Sequence, residues 1–140
     1  MSQVEAYRRL VEARAGGACE YCRLLQAATG VTFHIDHFVP GSRGGITAMN
    51  NLVLSCPGCN LAKADHSTGA DDSGKEQPLF NPRQYEPWVL GWHLHFSLDR
   101  DTGIVVARTP TGQATVSTLK INDGLRVFAR KLQVSVGLIG

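Results

Sequence analysis

The stretch "LVLSCPGCNLAKA", residues 52–64, decides the fold of this 140-residue chain. Its first four residues, "LVLS", predict a short strand, and the residues that follow the cysteine pair predict a helix. Cys56 and Cys59 are two residues apart, a spacing that turns two thiolates toward one ion. The stretch therefore predicts a strand and a helix joined at one half of a metal site.

The other half of that site is "CEYC", which supplies Cys19 and Cys22. Two such turns provide the four sulfurs of a tetrahedral zinc site that has no open position for a substrate, and closed zinc sites are structural. The alternative is a redox dithiol, but that motif normally comes as one Cys-x-x-Cys beside a βαβ pattern, which this sequence lacks. We therefore expect structural Zn²⁺ held by Cys19, Cys22, Cys56 and Cys59.

Between the two pairs lies "FHIDHFVPGSRGG", residues 33–45. The alternation in "VTFHI" predicts a strand over residues 31–35, with Asp36 and His37 at its end, and a loop rich in Gly, Pro and Asn follows. Together with the strand and helix predicted over residues 52–64, this gives the order strand, loop, strand, helix from residue 31 to 66. An isolated Asp-His pair at the end of a strand is more often a hydrogen-bonded strand end than part of a functional site.

Taken in order, "CEYC", "IDHFVP", "GG", "NNL" and "CPGCNLAK" resemble the zinc-stapled branch of the HNH endonucleases, the ββα-metal or His-Me finger superfamily. The resemblance implies an α+β fold with a ββα-metal core over residues 19–66. It also implies cleavage of DNA that leaves a 5′-phosphate and a 3′-hydroxyl. Asn51 corresponds to the middle letter of the motif, where its amide ties the loop and orients the general base, and Asn50 is its close rival.

The chemistry of these residues suits phosphodiester hydrolysis. His37 can act as general base because the ordinary pKa of imidazole lies near working pH. Asp36 and Asn60 offer hard oxygen ligands and leave positions open, which favours Mg²⁺ or Mn²⁺ as the catalytic cation. Arg43 and Lys63 are candidate phosphate contacts, although Arg43 could equally be a solvated side chain.

The rest of the chain predicts one domain over residues 1–140. An N-terminal helix over residues 2–15, capped by Ser2 and ended by Gly16-Gly17, occupies the segment 1–18. Residues 67–79 are expected to be a flexible connector. In residues 80–140, "WHLHFSL" and "GIVVART" predict a hairpin around "DRDTG", and two helices follow.

The last helix, within residues 123–133, carries an apolar stripe of Leu125, Phe128 and Leu132. This spacing predicts that the stripe faces the core, with Arg126, Arg130 and Lys131 on a solvated face.

Composition sets weak limits on function. The chain is 43% hydrophobic and 19% charged with a formal net charge of +2, which permits DNA binding without requiring it. It contains no membrane-spanning run, and its N-terminus lacks the apolar block of a secretory signal, so a cytoplasmic location is expected. The leading hypothesis is a metal-dependent DNA endonuclease. The alternatives are a zinc-stapled nucleic-acid-binding module that does not cut and a protein-interaction domain, and the oligomeric state stays open.

Overall fold

The computed structural model describes residues 3–139. Its helices and strands, in chain order, are α1 (Arg8–Ala15), β1 (His34–His37), β2 (Leu52–Ser55), α2 (Pro57–Lys63), β3 (Thr68–Ala70), β4 (Glu76–Pro78), α3 (Trp88–His95), β5 (Phe96–Leu98), β6 (Val105–Ala107), α4 (Pro110–Thr118) and α5 (Gly124–Ser135). Within residues 3–139 no helix has both the length and the apolarity needed to cross a membrane.

The centre of the fold is a ββα unit made of β1, β2 and α2. β1 and β2 pair antiparallel, with Asp36 opposite Val53 and His37 opposite Leu52. β2 is buried along its whole length, and α1 packs against it, while α2 packs against β1. The predicted α+β fold with a ββα core is confirmed. The first strand lies later than expected, so Asp36 and His37 are part of the strand and not beyond its end.

The N-terminal helix begins with a 3₁₀ turn at Gln3–Tyr7 and becomes α-helical only at Arg8. It ends as predicted at Gly16, which adopts the left-handed conformation (φ 64°) that favours glycine. The predicted cap, Ser2, lies outside the described residues. Arg14 donates hydrogen bonds to the carbonyls of Met49 and Leu52, and so joins α1 to the start of β2.

The segment expected to be a flexible connector is a β-hairpin. β3 and β4 pair antiparallel, and the Asp71 carboxylate accepts hydrogen bonds from the backbone N–H groups of Ser73 and Lys75 in the turn between them. The hairpin packs on α4, where a Cβ added to Gly69 would lie 2.1 Å from Thr118 Oγ1. A polar, glycine-rich composition suggested a linker, but here it serves a tight turn and a close approach to a helix.

The strand predicted over "WHLHFSL" is mostly helix. α3 runs from Trp88 to His95, and only Phe96–Leu98 form the strand β5. Trp88 and Trp92, four residues apart, both point into the core, which is the helical period. The turn at residues 99–103, the strand β6 and the helices α4 and α5 are where the sequence predicted them.

The last helix, α5, is turned the opposite way from the prediction. Leu125, Phe128 and Leu132 face solvent, whereas Arg130 is fully buried. Arg130 Nε donates to the Gly103 carbonyl at 2.7 Å, and Nη2 donates to the Ile121 carbonyl at 3.0 Å. Backbone carbonyls from the preceding turns accept protons from Nε and Nη2 of this buried guanidinium, whereas Nη1 is buried without a hydrogen-bond partner among residues 3–139.

We expect Arg130→Met to lower the free energy of unfolding by about 2–4 kcal/mol, because buried carbonyls would lose their donor. Urea unfolding followed by circular dichroism measures this. Lys131→Met, at the exposed neighbouring position of the same helix, is the matched control and should change stability by less than about 0.5 kcal/mol. Equal stability of the two variants would contradict the buried role of Arg130.

Candidate active site and metal centre

The four cysteines meet in one buried cluster. The sulfurs of Cys19, Cys22, Cys56 and Cys59 all lie within 4.8 Å of one another. In each pair the backbone N–H of the second cysteine donates to the sulfur of the first at 3.4 Å. Burial raises the pKa of the Cys19 and Cys59 thiols. Four buried sulfurs converging on one point are the donor set of a closed tetrahedral site, and they fit Zn²⁺.

The first knuckle is also held directly against β2. The backbone N–H of Glu20 donates to the Leu54 carbonyl at 2.9 Å, and the Leu54 N–H donates to Glu20 Oε1 at 3.0 Å. The buried Glu20 carboxylate forms an ion pair with Arg83, which comes from the C-terminal half of the chain. Hydrogen bonds to β2 and the ion pair with Arg83 therefore hold the first knuckle in place in addition to any metal contact.

Arg126 connects α5 to the cysteine cluster. Its Nη1 donates to Cys59 Sγ at 3.0 Å, and Nη2 donates to the Leu119 carbonyl at 2.8 Å. A Cβ on Gly58 would lie 2.9 Å from Arg126 Nε, so the knuckle needs glycine to admit the guanidinium. Sequence reasoning placed Arg126 on a solvated face. Its actual position beside a sulfur suits a metal site whose four thiolates carry net negative charge.

Asp36 lies at the centre of a polar network on β1. Its Oδ2 accepts a hydrogen bond from the Tyr21 hydroxyl at 3.0 Å and lies 3.3 Å from Lys63 Nζ. Burial raises the pKa of Asp36, and the nearby Lys63 ammonium and Tyr21 hydroxyl oppose that shift. Both contacts are made to Oδ2, which leaves Oδ1 as the oxygen for a further ligand.

Lys63 is not placed as the sequence suggested. Its side chain is fully buried, and Nζ also donates to the Phe38 carbonyl at 3.0 Å. An ammonium held in this way faces Asp36 and the strand end, so it does not reach out to a phosphate. Tyr21, the other partner of Asp36, is a residue that sequence reasoning missed, since nothing in the spacing of "CEYC" separates it from an ordinary core tyrosine.

His37 contacts the loop between the two strands. Its Nε2 lies 2.8 Å from Thr47 Oγ1. Thr47 was not predicted, and no feature of the sequence distinguishes it from the other small loop residues. This hydrogen bond holds the orientation of the imidazole and leaves Nδ1 as the nitrogen available for other chemistry.

Asn51 closes the same loop. Its side-chain Oδ1 accepts from the Val39 N–H at 2.9 Å, and Nδ2 donates to the carbonyls of Val39 (3.0 Å) and Ile46 (2.9 Å). Ile46 directly precedes Thr47, so Asn51 holds the backbone beside the residue that contacts His37. Asn50, the rival, is exposed.

The loop glycine Gly45 packs closely under the Val39 carbonyl. A Cβ at this position would lie 1.6 Å from that carbonyl oxygen. The close contact therefore requires glycine at this position, in the same loop that Asn51 closes.

The two remaining predicted residues lie at the surface of this unit. Asn60 is in the first part of α2, directly after Cys59, and its side chain is half-buried. Arg43 is exposed in a 3₁₀ turn at Gly41–Arg43. Their roles as metal ligand and phosphate contact stay predictions.

Residues 19–66 match the family described as HNH endonuclease. The matched segment contains both cysteine pairs, both strands of the ββα unit and α2. This segment therefore has the pattern of an HNH domain, and the four clustered cysteines fit a zinc-stapled variant. No curated protein and no solved structure gave a significant match to the chain.

Removing the Asn51 side chain should loosen the loop. We expect Asn51→Ala to lower the free energy of unfolding by about 1–3 kcal/mol, because three buried hydrogen bonds are lost. Asn50→Ala, one residue earlier and exposed, should change it by less than about 0.5 kcal/mol. Urea unfolding of the two variants measures the difference, and an equal effect of both would show that the loop does not depend on Asn51.

Removing the Arg126 guanidinium should weaken metal retention. We expect Arg126→Ala to release zinc to a chromogenic chelator about 10–100-fold faster, because a charge-assisted hydrogen bond to Cys59 is lost. Lys131→Ala on the same helix is the control, since this residue is exposed. Identical release rates for the two variants would sink the assignment of Arg126 to the metal centre.

Proposed function

We propose that this protein is a metal-dependent endonuclease that hydrolyses DNA phosphodiester bonds. The observation that carries the proposal is the pairing, inside an HNH domain, of Asp36 and His37 on β1 with α2 packed against that strand. A carboxylate and an imidazole adjacent in sequence, beside a helix that offers Asn60, supply a cation ligand and a base in one place.

His37 is the proposed general base. The proposal takes the tautomer in which Nε2–H donates to Thr47 Oγ1, so that the lone pair of Nδ1 can accept a proton from a water molecule. The resulting hydroxide attacks phosphorus, and the bond from phosphorus to the 3′ oxygen breaks. Asn51 supports this geometry indirectly, since it holds the carbonyl of Ile46, the neighbour of Thr47.

Asp36 and Asn60 are the proposed ligands of a catalytic Mg²⁺ or Mn²⁺. Both offer oxygen atoms, which these hard cations prefer. When bound, the cation would neutralise charge on the phosphate and on the departing oxygen. Lys63 and Tyr21 act as positioning residues in this proposal, because both contact Oδ2 of Asp36 and leave Oδ1 for the cation.

The DNA contacts and the compartment are also part of the proposal. Arg43 is exposed on the loop that follows β1 and is the proposed phosphate contact near His37. Four unpaired cysteines that meet at one metal site suit a reducing compartment, so we place the protein in the cytoplasm.

One observation favours a second candidate, a zinc-stapled DNA-binding module that does not cut. The Lys63 ammonium already lies 3.3 Å from Asp36 and partly neutralises it, so it competes with a cation for that carboxylate. If Lys63 fully replaces the cation, the fold and the zinc remain while hydrolysis is lost.

Nicking of supercoiled plasmid DNA in Mg²⁺, Mn²⁺ or EDTA tests the nuclease. We expect metal-dependent nicking that falls by at least about 100-fold in His37→Ala, because the base is removed. His34→Ala is the matched control, since His34 is an exposed histidine of the same strand.

The outcomes separate the candidates. Equal nicking by wild type and His37→Ala would exclude His37 as the base. Retention of DNA on a gel without nicking in any divalent metal, by folded and zinc-loaded protein, would favour the binding module.

A further inference from the structure

The helix α5 presents its apolar side to solvent. Leu125 is 83% exposed, Phe128 61%, Leu132 51% and Val136, directly after the helix, 69%. At 100° per residue these positions fall within one stripe about 100° wide, which is the width of a core-facing surface. The opposite side of the helix, with the buried Arg130, already faces the protein. The stripe therefore has the pattern of a helix face that packs against another element, but in the single chain the described residues leave it exposed to solvent.

Two neighbouring grooves widen the stripe into a continuous face. Leu125 lines the first groove together with Val31 and with Leu61, which is 82% exposed on α2. Thr29 lies in both grooves, and the second groove continues along Leu132, Val136 and Leu138. We call the set Val31, Leu61, Leu125, Phe128, Leu132, Val136 and Leu138 the apolar face.

The size of this face is that of an interface. At roughly 150 Å² for each fully exposed side chain of this size, the measured exposures give on the order of 600 Å². The largest apolar patch on an ordinary monomer is about 300–600 Å², and a stable interface buries about 800 Å² on each partner. The apolar face is thus close to what one side of a stable dimer needs, before any polar rim is added.

The chemistry of the face favours a second copy of this chain as its occupant. A stripe of Leu, Phe and Val on a helix is complementary to itself, so a two-fold axis can bury the same residues on both copies. The two arginines of the helix do not point to an anionic partner, because Arg126 is bound to a sulfur and Arg130 to backbone carbonyls, and Lys131 is the one exposed cation of α5. The residues at positions 125, 128 and 132 also have the alternating steps of three and four residues found in a helix-to-helix seam.

We propose that the protein forms a two-fold symmetric dimer in which the α5 helices of two copies pack against each other through the apolar face. None of the candidate site residues among residues 3–139 belongs to this face, so pairing does not consume Asp36, His37 or Asn60. The proposal stands independently of the nuclease activity. If both hold, the dimer carries two active sites, one for each strand of a duplex.

Sedimentation velocity of the full, zinc-loaded chain over about 1–100 µM tests the dimer. We expect wild type to reach twice the mass of the chain, and Phe128→Glu to weaken association by at least about tenfold, because the charge would be buried at the seam. Leu94→Glu is the matched control, since Leu94 is 59% exposed on α3, outside the face, and it should associate like wild type.

A charge-pairing experiment distinguishes self-association from another cause. Phe128→Glu and Phe128→Lys should each be monomeric alone, and an equimolar mixture should regain the mass of a dimer, because opposite charges then meet across the seam. A folded wild type that stays monomeric at about 100 µM would overturn the proposal and assign the face to a different protein or a lipid surface. A Phe128→Glu variant that dimerises as well as Leu94→Glu would also overturn it.

Discussion

The convergence of four cysteines on one point is the constraint on which the rest of the structure depends. The pairs Cys19/Cys22 and Cys56/Cys59 bracket β1, the loop and β2, so a common ion fixes both ends of the segment that carries Asp36, His37 and Asn51. The strands of this segment are only four residues long, too short to be stable without further support. Closing the loop between the pairs removes chain entropy from the unfolded state, and metal binding supplies stability that a small hydrophobic core does not.

The cysteine cluster also affects the proposed active site, because it sets the orientation of α2. This helix begins after Cys56 and ends at Lys63, so the orientation of the second knuckle sets where the Lys63 ammonium meets Asp36. From the other side, the first knuckle contributes Tyr21, whose hydroxyl bonds the same carboxylate oxygen. Tyr21 is itself held by Trp92, whose indole N–H donates to its carbonyl at 2.9 Å. One carboxylate is thus positioned by both knuckles and, through α3, by the C-terminal half. Displacement of either knuckle would therefore move Asp36, the proposed metal ligand, in addition to destabilising the fold.

Sequence reasoning succeeded where a pattern of residues is compatible with only one structure. Two Cys-x-x-Cys pairs imply a shared ion, and "LVLS" before the second pair is the strand β2. It failed where a pattern is compatible with two kinds of secondary structure. "WHLHFSL" alternates like a strand, but its tryptophans also keep the helical period, and burial of both decides for helix. It failed on α5 because arginine was assumed to need water, whereas backbone carbonyls accept the protons of Arg130. Thr47 and Tyr21 could not be found at all, because only the folded chain brings them to His37 and Asp36.

The internal use of cations limits how this protein can bind DNA. The chain has 14 basic against 12 acidic residues. Four of the basic side chains are engaged inside the protein: Lys63 with Asp36, Arg83 with Glu20, Arg126 with the sulfur of Cys59, and Arg130 with backbone carbonyls. Each phosphate neutralised contributes to affinity through the release of counterions, so the exposed cations, among them Arg43, Lys120 and Lys131, are the side chains left to contact phosphates. Pairing through the apolar face would double the number of contacts without adding charge to either chain, since two linked footprints bind far more tightly than one. If the protein binds DNA and also pairs through this face, association between copies would add to the attraction of each copy to DNA.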